Sequence, residues 1–506
     1  MLLWLKGVSA KKCHDNDMVI TTLKASEIFY MRFVHLFFFI LVLSVSPRAI
    51  ANSDLPVLTD AASSTISLDQ EHRLGRAWVR SLRGSVKLLD DPLAVSYLHD
   101  LSWELVGHSQ LQDRRIDLVV VDNQTFNAFA VPGGIIGIHG GLLLAAERED
   151  ELASVLAHEL AHLSQRHYAA SLEESRRNRP LAIASFLASV LIAAADSQAG
   201  AAAISTSIAA QQSARLSFSR QNEREADRVG MQTLVSAGID PSAMPRMFSR
   251  MQASQRFLSK PPEFLLTHPV TEARIADSLN RAERLGKPPL TRRSIEFAAV
   301  KARMAVYYES NPQTAYNHFQ DKHRSSGKPE DLYAFAVAAT RLSRPDQAKQ
   351  ALAKLPDEWR KHLFTQLTGV EADIAALRWG QAAQTLDGLA AVYPGNFAVE
   401  QRRAEAYMGA GLADKAVQVL NDLKREYPND VTTHYLLAEA LGQSGRNIAV
   451  HEARIDYFLL TGQIDRALTQ VQYAHRERNL TASDKARIDQ LEQDVKQVRA
   501  EMEAAL

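Results

Sequence analysis

The sequence predicts a mainly α-helical protein. A small antiparallel sheet lies in its first half, and an α-solenoid of stacked helix pairs makes up its second. Three observations carry this. Apolar positions keep the helical period from Leu68 to Val106 and again through most of the chain after Asp150. Between them, IDLVVVD (Ile116 to Asp122) and FNAFAVPGGIIGIHGG (126–141) switch to β-branched, strand-like runs. Beyond residue 291 the chain repeats every 34 residues.

The chain has 506 residues, 46% of them hydrophobic, enough for two to four domains with buried cores. Lys+Arg and Asp+Glu are both 58, so the net charge is zero and the basic excess of a nucleic-acid binder is missing. Cys13 is the single cysteine. An intrachain disulfide framework and thiolate metal sites are therefore excluded, and any metal must be held by His, Asp or Glu.

MRFVHLFFFILVLSVSPRAIANSD begins at Met31 with one basic residue, Arg32. An apolar run from Leu36 to Val45 leads to Pro47 and the small-residue pattern Ala49-Ile50-Ala51. This is the layout of a signal peptide spanning 31–51, and the run is short for a membrane anchor. Residues 1–30 read as an upstream extension. The mature chain is expected to start near Asn52, in an oxidising compartment, without any thiol.

Each element has its local reason. Asp91-Pro92 reads as a helix start. Pro132-Gly133-Gly134 separates two apolar arms and predicts a hairpin. Residues 180–214 are nearly uncharged but Ser- and Gln-rich in their second half. They predict a buried or amphipathic helical hairpin, with peripheral membrane contact as the alternative. SFSRQNEREADRVGMQTLVSAG is expected to be a helix ending at Gly238, and residues 255–268 a loop. VTEARIADSLNRAERLG forms a further helix, and KPPLT (287–291) a linker. The first domain thus spans 52–290.

In the second, Ala348, Ala382 and Ala416 share the 34-residue step with Leu352, Leu386 and Leu420. The Tyr-Pro pairs at Tyr393 and Tyr427 and the glycines Gly411 and Gly445 keep the same register. That is the tetratricopeptide signature, expected over 291–480. The charged segment 481–506 is expected to form a capping helix.

The chemistry concentrates in VLAHELAHLSQRH (155–167). His158 and His162 are four apart, so on a helix their imidazoles share one face, about 40° apart. Glu159 sits beside the first, where it can reach water rather than the metal. This is the H-E-x-x-H arrangement of zinc proteases. His167, nine residues after His158, is expected on the opposite face. Zinc needs a third protein ligand and keeps one open position. NEREAD supplies two carboxylates four apart, Glu223 and Asp227. One can ligate, and the other can accept the remaining ring N–H of a ligating histidine. Glu225 is expected to be a solvated charge.

HELAH, then EREAD, then THPVTEAR, after a NAFAVPGG hairpin, resemble the M48 family of zinc metallopeptidases. With a signal peptide and repeats, the chain looks like the family's periplasmic members that serve outer-membrane β-barrel assembly. The resemblance implies a zincin-like fold, with one Zn2+ held by His158, His162 and Glu223 and Glu159 as the catalytic base. It implies unfolded or misassembled outer-membrane proteins as substrates, and the repeats docking onto the barrel-assembly machinery. It also implies a loop over the cleft, where His268 either occupies zinc's open position or caps the next helix. Arg274 either stabilises an oxyanion or anchors that loop. A substrate strand is expected to pair near Asn127 and Ala128, or along Gly134–His139.

Overall fold

Ser67 caps the first helix, α1 (Leu68–Ser85). Its hydroxyl accepts from Gln70 N while the Gln70 side chain accepts from Ser67 N. Asp91 caps α2 (Pro92–His108) by accepting from Ala94 N, with proline in the first turn. Between them and the next helices lie β1 (Asp117–Val121), β2 (Ala128–Val131) and β3 (Ile135–His139). The structure is a computed structural model and describes residues 67–168, 220–255, 262–286, 288 and 294–505. The expected extension, signal peptide and 180–214 hairpin lie outside the described residues.

The sheet order is β1-β3-β2. β2 and β3 form the predicted hairpin, Val131 facing Ile135, across a turn whose Gly133 and Gly134 have φ of 87° and 79°. The sheet is mixed, not purely antiparallel as expected, because β1 pairs parallel to β3. β3 is buried at every position and takes the centre, which puts β1 and β2 on opposite edges. Val119, Val121, Phe129 and Ile135 face Trp78 and Leu82 of α1. Val120, Ala130, Ile136 and Ile138 face the main core.

That core is organised by α3 (Gly140–Ala145) and α4 (Glu149–Ser164), then α5 (Arg220–Ser236), α6 (Ala243–Gln255) and α8 (Glu272–Leu285). The segment expected to be a loop before His268 contains a short helix, α7 (Glu263–Thr267), tied down by buried Phe264 and Leu265.

The second half continues as α9 (Ile295–Tyr307), α10 (Pro312–Ser326), α11 (Pro329–Arg341), α12 (Pro345–Ala353) and α13 (Asp357–Arg360). Then follow α14 (Leu363–Ala375), α15 (Trp379–Val392), α16 (Phe397–Gly409), α17 (Ala413–Glu426), α18 (Val431–Gln443) and α19 (Asn447–Leu460). α20 (Ile464–His475) and α21 (Ala482–Ala505) close the array. Ala348, Ala382 and Ala416, one repeat apart, are fully buried where helices cross. Gly411 and Gly445 turn successive pairs at φ of 74° and 71°.

The described residues form one compact unit. A buried ion network explains the join. Arg303 on α9 bonds Asp91 at 2.8 Å, at the start of α2, and Glu371 on α14 at 2.9 Å. Arg402 on α16 bonds the same Glu371 at 3.0 Å. At the far end α21 packs on α20 and also on α1, where Arg80 pairs with Glu501 at 3.4 Å. No described helix is long and apolar enough to cross a membrane.

Candidate metal centre

α4 is buried from Glu149 to Leu163. Its acidic first turn offsets the helix dipole, and its charges are paired: Asp150 with Arg246 at 2.7 Å and Glu151 with Arg250 at 3.2 Å. α5 lies directly against it, because position 230 is glycine. A Cβ there would sit 3.1 Å from the Ala157 carbonyl. This close crossing carries NEREAD to HELAH across an intervening stretch of some sixty residues.

One ligand atom from each of His158, His162, Glu223 and His268 lies within 4.8 Å of the others. His162 Nε2 is 3.1 Å from His158 Nε2, and His158 Nε2 is 3.4 Å from His268 Nδ1. Glu223 Oε1 is 3.5 Å from His162 Nε2 and 2.9 Å from His268 Nδ1. A tetrahedron of metal–ligand bonds of about 2.0–2.1 Å has edges of about 3.3 Å. These separations scatter around that value, so the residues fit a four-coordinate metal. All four side chains are 2% exposed or less.

The surrounding groups fix orientation. His158 Nδ1 lies 3.1 Å from Asp227 Oδ1. Burial disfavours its charge, but Asp227 and Glu223 outweigh that and lift its pKa to about 9. Burial and the neighbouring His158 charge push His162 well below its ordinary value. Burial would raise Glu223, yet His268 and His158 hold it well below the usual carboxylate range. Arg274 donates from Nε and Nη2 to Asp227 at 2.8 and 2.7 Å and from Nη1 to the Pro269 carbonyl at 2.9 Å. Its Nη1 also lies 2.6 Å from Glu223 Oε2. The guanidinium thus ties both α5 carboxylates to the loop carrying His268.

His167 does not point away. The helix ends at Ser164, and Arg166 adopts a left-handed φ of 53°, so extrapolating the helical period to residue 167 fails. Arg166 is fixed in that turn by a salt bridge to Glu71 on α1. The chain returns His167 to the site, buried, with Nδ1 3.0 Å from His162 Nδ1 and Nε2 3.4 Å from Glu225 Oε2. Glu225, expected to be solvated, is half-buried and engaged there. Nothing in the periodicity marks this turn, which lacks glycine.

Glu159 is fully buried, and its carboxylate meets the backbone of Ala130 on β2. Burial raises its pKa, against the lowering influence of His268 and His158. Its Oε1 is 3.7 Å from His268 Nε2. Phe264 of α7 stacks on His268 with centroids 4.8 Å apart and meets Phe126 edge-on at 5.4 Å. Asn127 donates to Glu263 Oε2 at 3.2 Å. α7 therefore lies over the site; Phe264 is the covering residue that periodicity did not single out.

The two candidate substrate strands differ in their place in the sheet. β3 has both edges occupied, so Gly134–His139 cannot pair with a further strand. β2 is an edge. The Asn127 carbonyl accepts from His139 N at 3.0 Å, so residues 127, 129 and 131 turn toward β3. The backbone groups of Ala128 and Ala130 turn outward.

A helix-borne histidine pair, a carboxylate from a second helix and a repeat solenoid define the class: a metallopeptidase joined to tetratricopeptide repeats. Comparison with known proteins agrees. Residues 92–282 match Peptidase family M48, and 374–440 match a tetratricopeptide repeat family. The chain is 33% identical to the beta-barrel assembly-enhancing protease of Escherichia coli O157:H7, covering 89% of this chain and 93% of that one. It is 32% identical to the protein of the same name in Yersinia pestis, over 86% and 90%. It is 30% identical to the mitochondrial metalloendopeptidase OMA1 of Schizosaccharomyces pombe, over 44% and 64%. The chain belongs to the M48 peptidase family, and along most of its length it is similar to the beta-barrel assembly-enhancing proteases.

Proposed function

We propose that this protein is a periplasmic zinc endopeptidase that cleaves misassembled outer-membrane β-barrel proteins and is latent at rest. The observation that carries the reading is the convergence of His158, His162, Glu223 and His268 beside a fully buried Glu159. The names of two relatives, both beta-barrel assembly-enhancing proteases, tie the reading to barrel assembly.

His158, His162 and Glu223 would hold the ion, with Asp227 and His167 orienting the two imidazoles. Zinc, when bound, supplies a Lewis acid for the scissile carbonyl and lowers the pKa of water to about 7. Glu159 takes a proton from the attacking water and delivers it to the leaving amine. The outward backbone groups of Ala128 and Ala130 align an extended substrate, favouring unfolded segments over folded ones. His268 fills the fourth position, and Phe264 seals it. Arg274, already committed to Asp227, Glu223 and Pro269, anchors the loop.

A second reading gains from the closure of the site: the resting protein presents its solenoid rather than its metal, as a chaperone or scaffold of the assembly machinery would. Glu159→Gln separates the two. Failure of this variant to restore barrel assembly in cells lacking the protein supports the protease. Full restoration makes binding the main role.

A further inference from the structure

The second edge of the sheet is also incomplete. Asp117 N donates to the Gly134 carbonyl at 2.9 Å, so residues 117, 119 and 121 of β1 turn toward β3. Leu118 and Val120 turn outward. At the C-terminal end of β1 this edge is closed, because Leu89 N donates to the Val120 carbonyl at 2.9 Å and Asp122 N to the Lys87 carbonyl at 2.8 Å. Ahead of that bridge, the Leu118 N–H and C=O and the Val120 N–H have no backbone partner among the described residues.

They open onto a groove of about 310 Å³ between the sheet edge, α2 and the α17–α18 turn. Its walls include Leu88, Val95, Trp103, Phe397, Tyr427 and Val431. Trp103 is 39% exposed there, while its Nε1 donates to His99 Nε2 at 2.8 Å. The rim is acidic. Asp90, Glu426 and Asp430 line it, and neither Asp90 nor Glu426 is paired with a cation among the described residues. Arg83, the one arginine in the lining, is already engaged by Asp117 at 2.7 Å.

We propose that this groove is a second peptide-binding site, separate from the metal centre. It takes an extended polypeptide segment that adds to β1 as a strand, with apolar side chains on its walls and a lysine or arginine at its acidic, aromatic rim. The open edge supplies donors and acceptor at strand spacing, which a helical partner cannot use. Free length from Ile116 to Val119 admits about 13 Å of strand, three or four residues. Unpaired carboxylates beside Trp103 and Tyr427 favour a cationic side chain over an anionic one. Because the site joins protease and repeats, an unfolded chain held here stays near the catalytic cleft.

The test uses the full chain carrying Glu159→Gln and a dansylated octapeptide of alternating threonine and valine with one central lysine. Fluorescence anisotropy should show saturable binding. Leu118→Pro removes one outward N–H and spares the β1–β3 ladder, so binding should weaken about 3- to 10-fold. Val95→Trp fills the groove and should weaken it as well; if Leu118→Pro does not fold, this variant decides. The same peptide methylated at alternate amides, or with glutamate for lysine, should bind more weakly than the parent. Unchanged affinity in the folded variants, or equal binding of the methylated peptide, overturns the proposal. So does a dimer in sedimentation that Leu118→Pro abolishes, since a second copy would then occupy the edge. None of these readouts requires catalysis, so the inference and the protease reading fail separately.

Discussion

His268 Nδ1 lies 2.9 Å from Glu223 Oε1, so a residue on the covering loop shares one buried point with a carboxylate on α5. The loop and the proposed ligand set are therefore a single structure at rest. Opening it requires His268 to leave and Phe264 to lose its stacking partner. His268→Ala should raise basal cleavage of casein, by about 10-fold if the open state is a minor one at rest. Unchanged or lower activity, with zinc still bound, would remove the latency claim.

His162 and His167 make a second testable pair. With Nε2 of His162 toward the metal, its Nδ1–H donates to His167 Nδ1, and the His167 Nε2–H faces Glu225. His167→Ala should weaken zinc affinity by about 10- to 100-fold. His167→Gln, whose amide oxygen can accept the same proton, should recover part of the loss. Competition with a chromophoric chelator reads this directly. Equal affinity in wild type and His167→Ala would show that the histidine only packs.

The join between protease and solenoid depends on Arg303. Its removal leaves Asp91 buried without its cation and Glu371 with Arg402 alone. Arg303→Ala should lower unfolding free energy by about 3–5 kcal/mol. A urea midpoint indistinguishable from wild type would contradict the reading of this network as the join.

Glu296 on α9 offers a pH test of the same region. Its hydrogen bond to His362, 3.0 Å away, holds its pKa down to about 2 despite partial burial. A depressed carboxylate stabilises the fold fully above its ordinary value of 4.5, and that contribution is lost as pH falls toward about 2. The pair is partly exposed, so the gain is below about 1 kcal/mol. Wild type should exceed Glu296→Gln in stability at pH 6, and the difference should vanish near pH 2. A gap that widens on acidification would reverse the sign.

Much of this was legible in the sequence. Local rules sufficed where one element decided the outcome: the Asp91-Pro92 helix start, the Pro-Gly-Gly hairpin, the 34-residue step, and the shared face of His158 and His162. The Glu223/Asp227 spacing pointed to a second helix, although only the close crossing at Gly230 shows how the two meet. What escaped depends on contacts distant in sequence. Arg166 is held left-handed by Glu71, and that turn redirects His167. β1 pairs parallel to a central β3, a direction that strand patterns cannot specify. Phe264 covers the site only because α7 folds back onto it.

The central claim is a catalytic zinc in this centre, and metal analysis coupled to casein cleavage tests it most directly. Purified protein should carry one zinc per chain, lose cleavage with a chelator and regain it with added zinc. Glu159→Gln should keep the zinc and lose about 100-fold or more in rate. Cleavage that survives chelation, or a Glu159→Gln variant as active as wild type, would contradict the account.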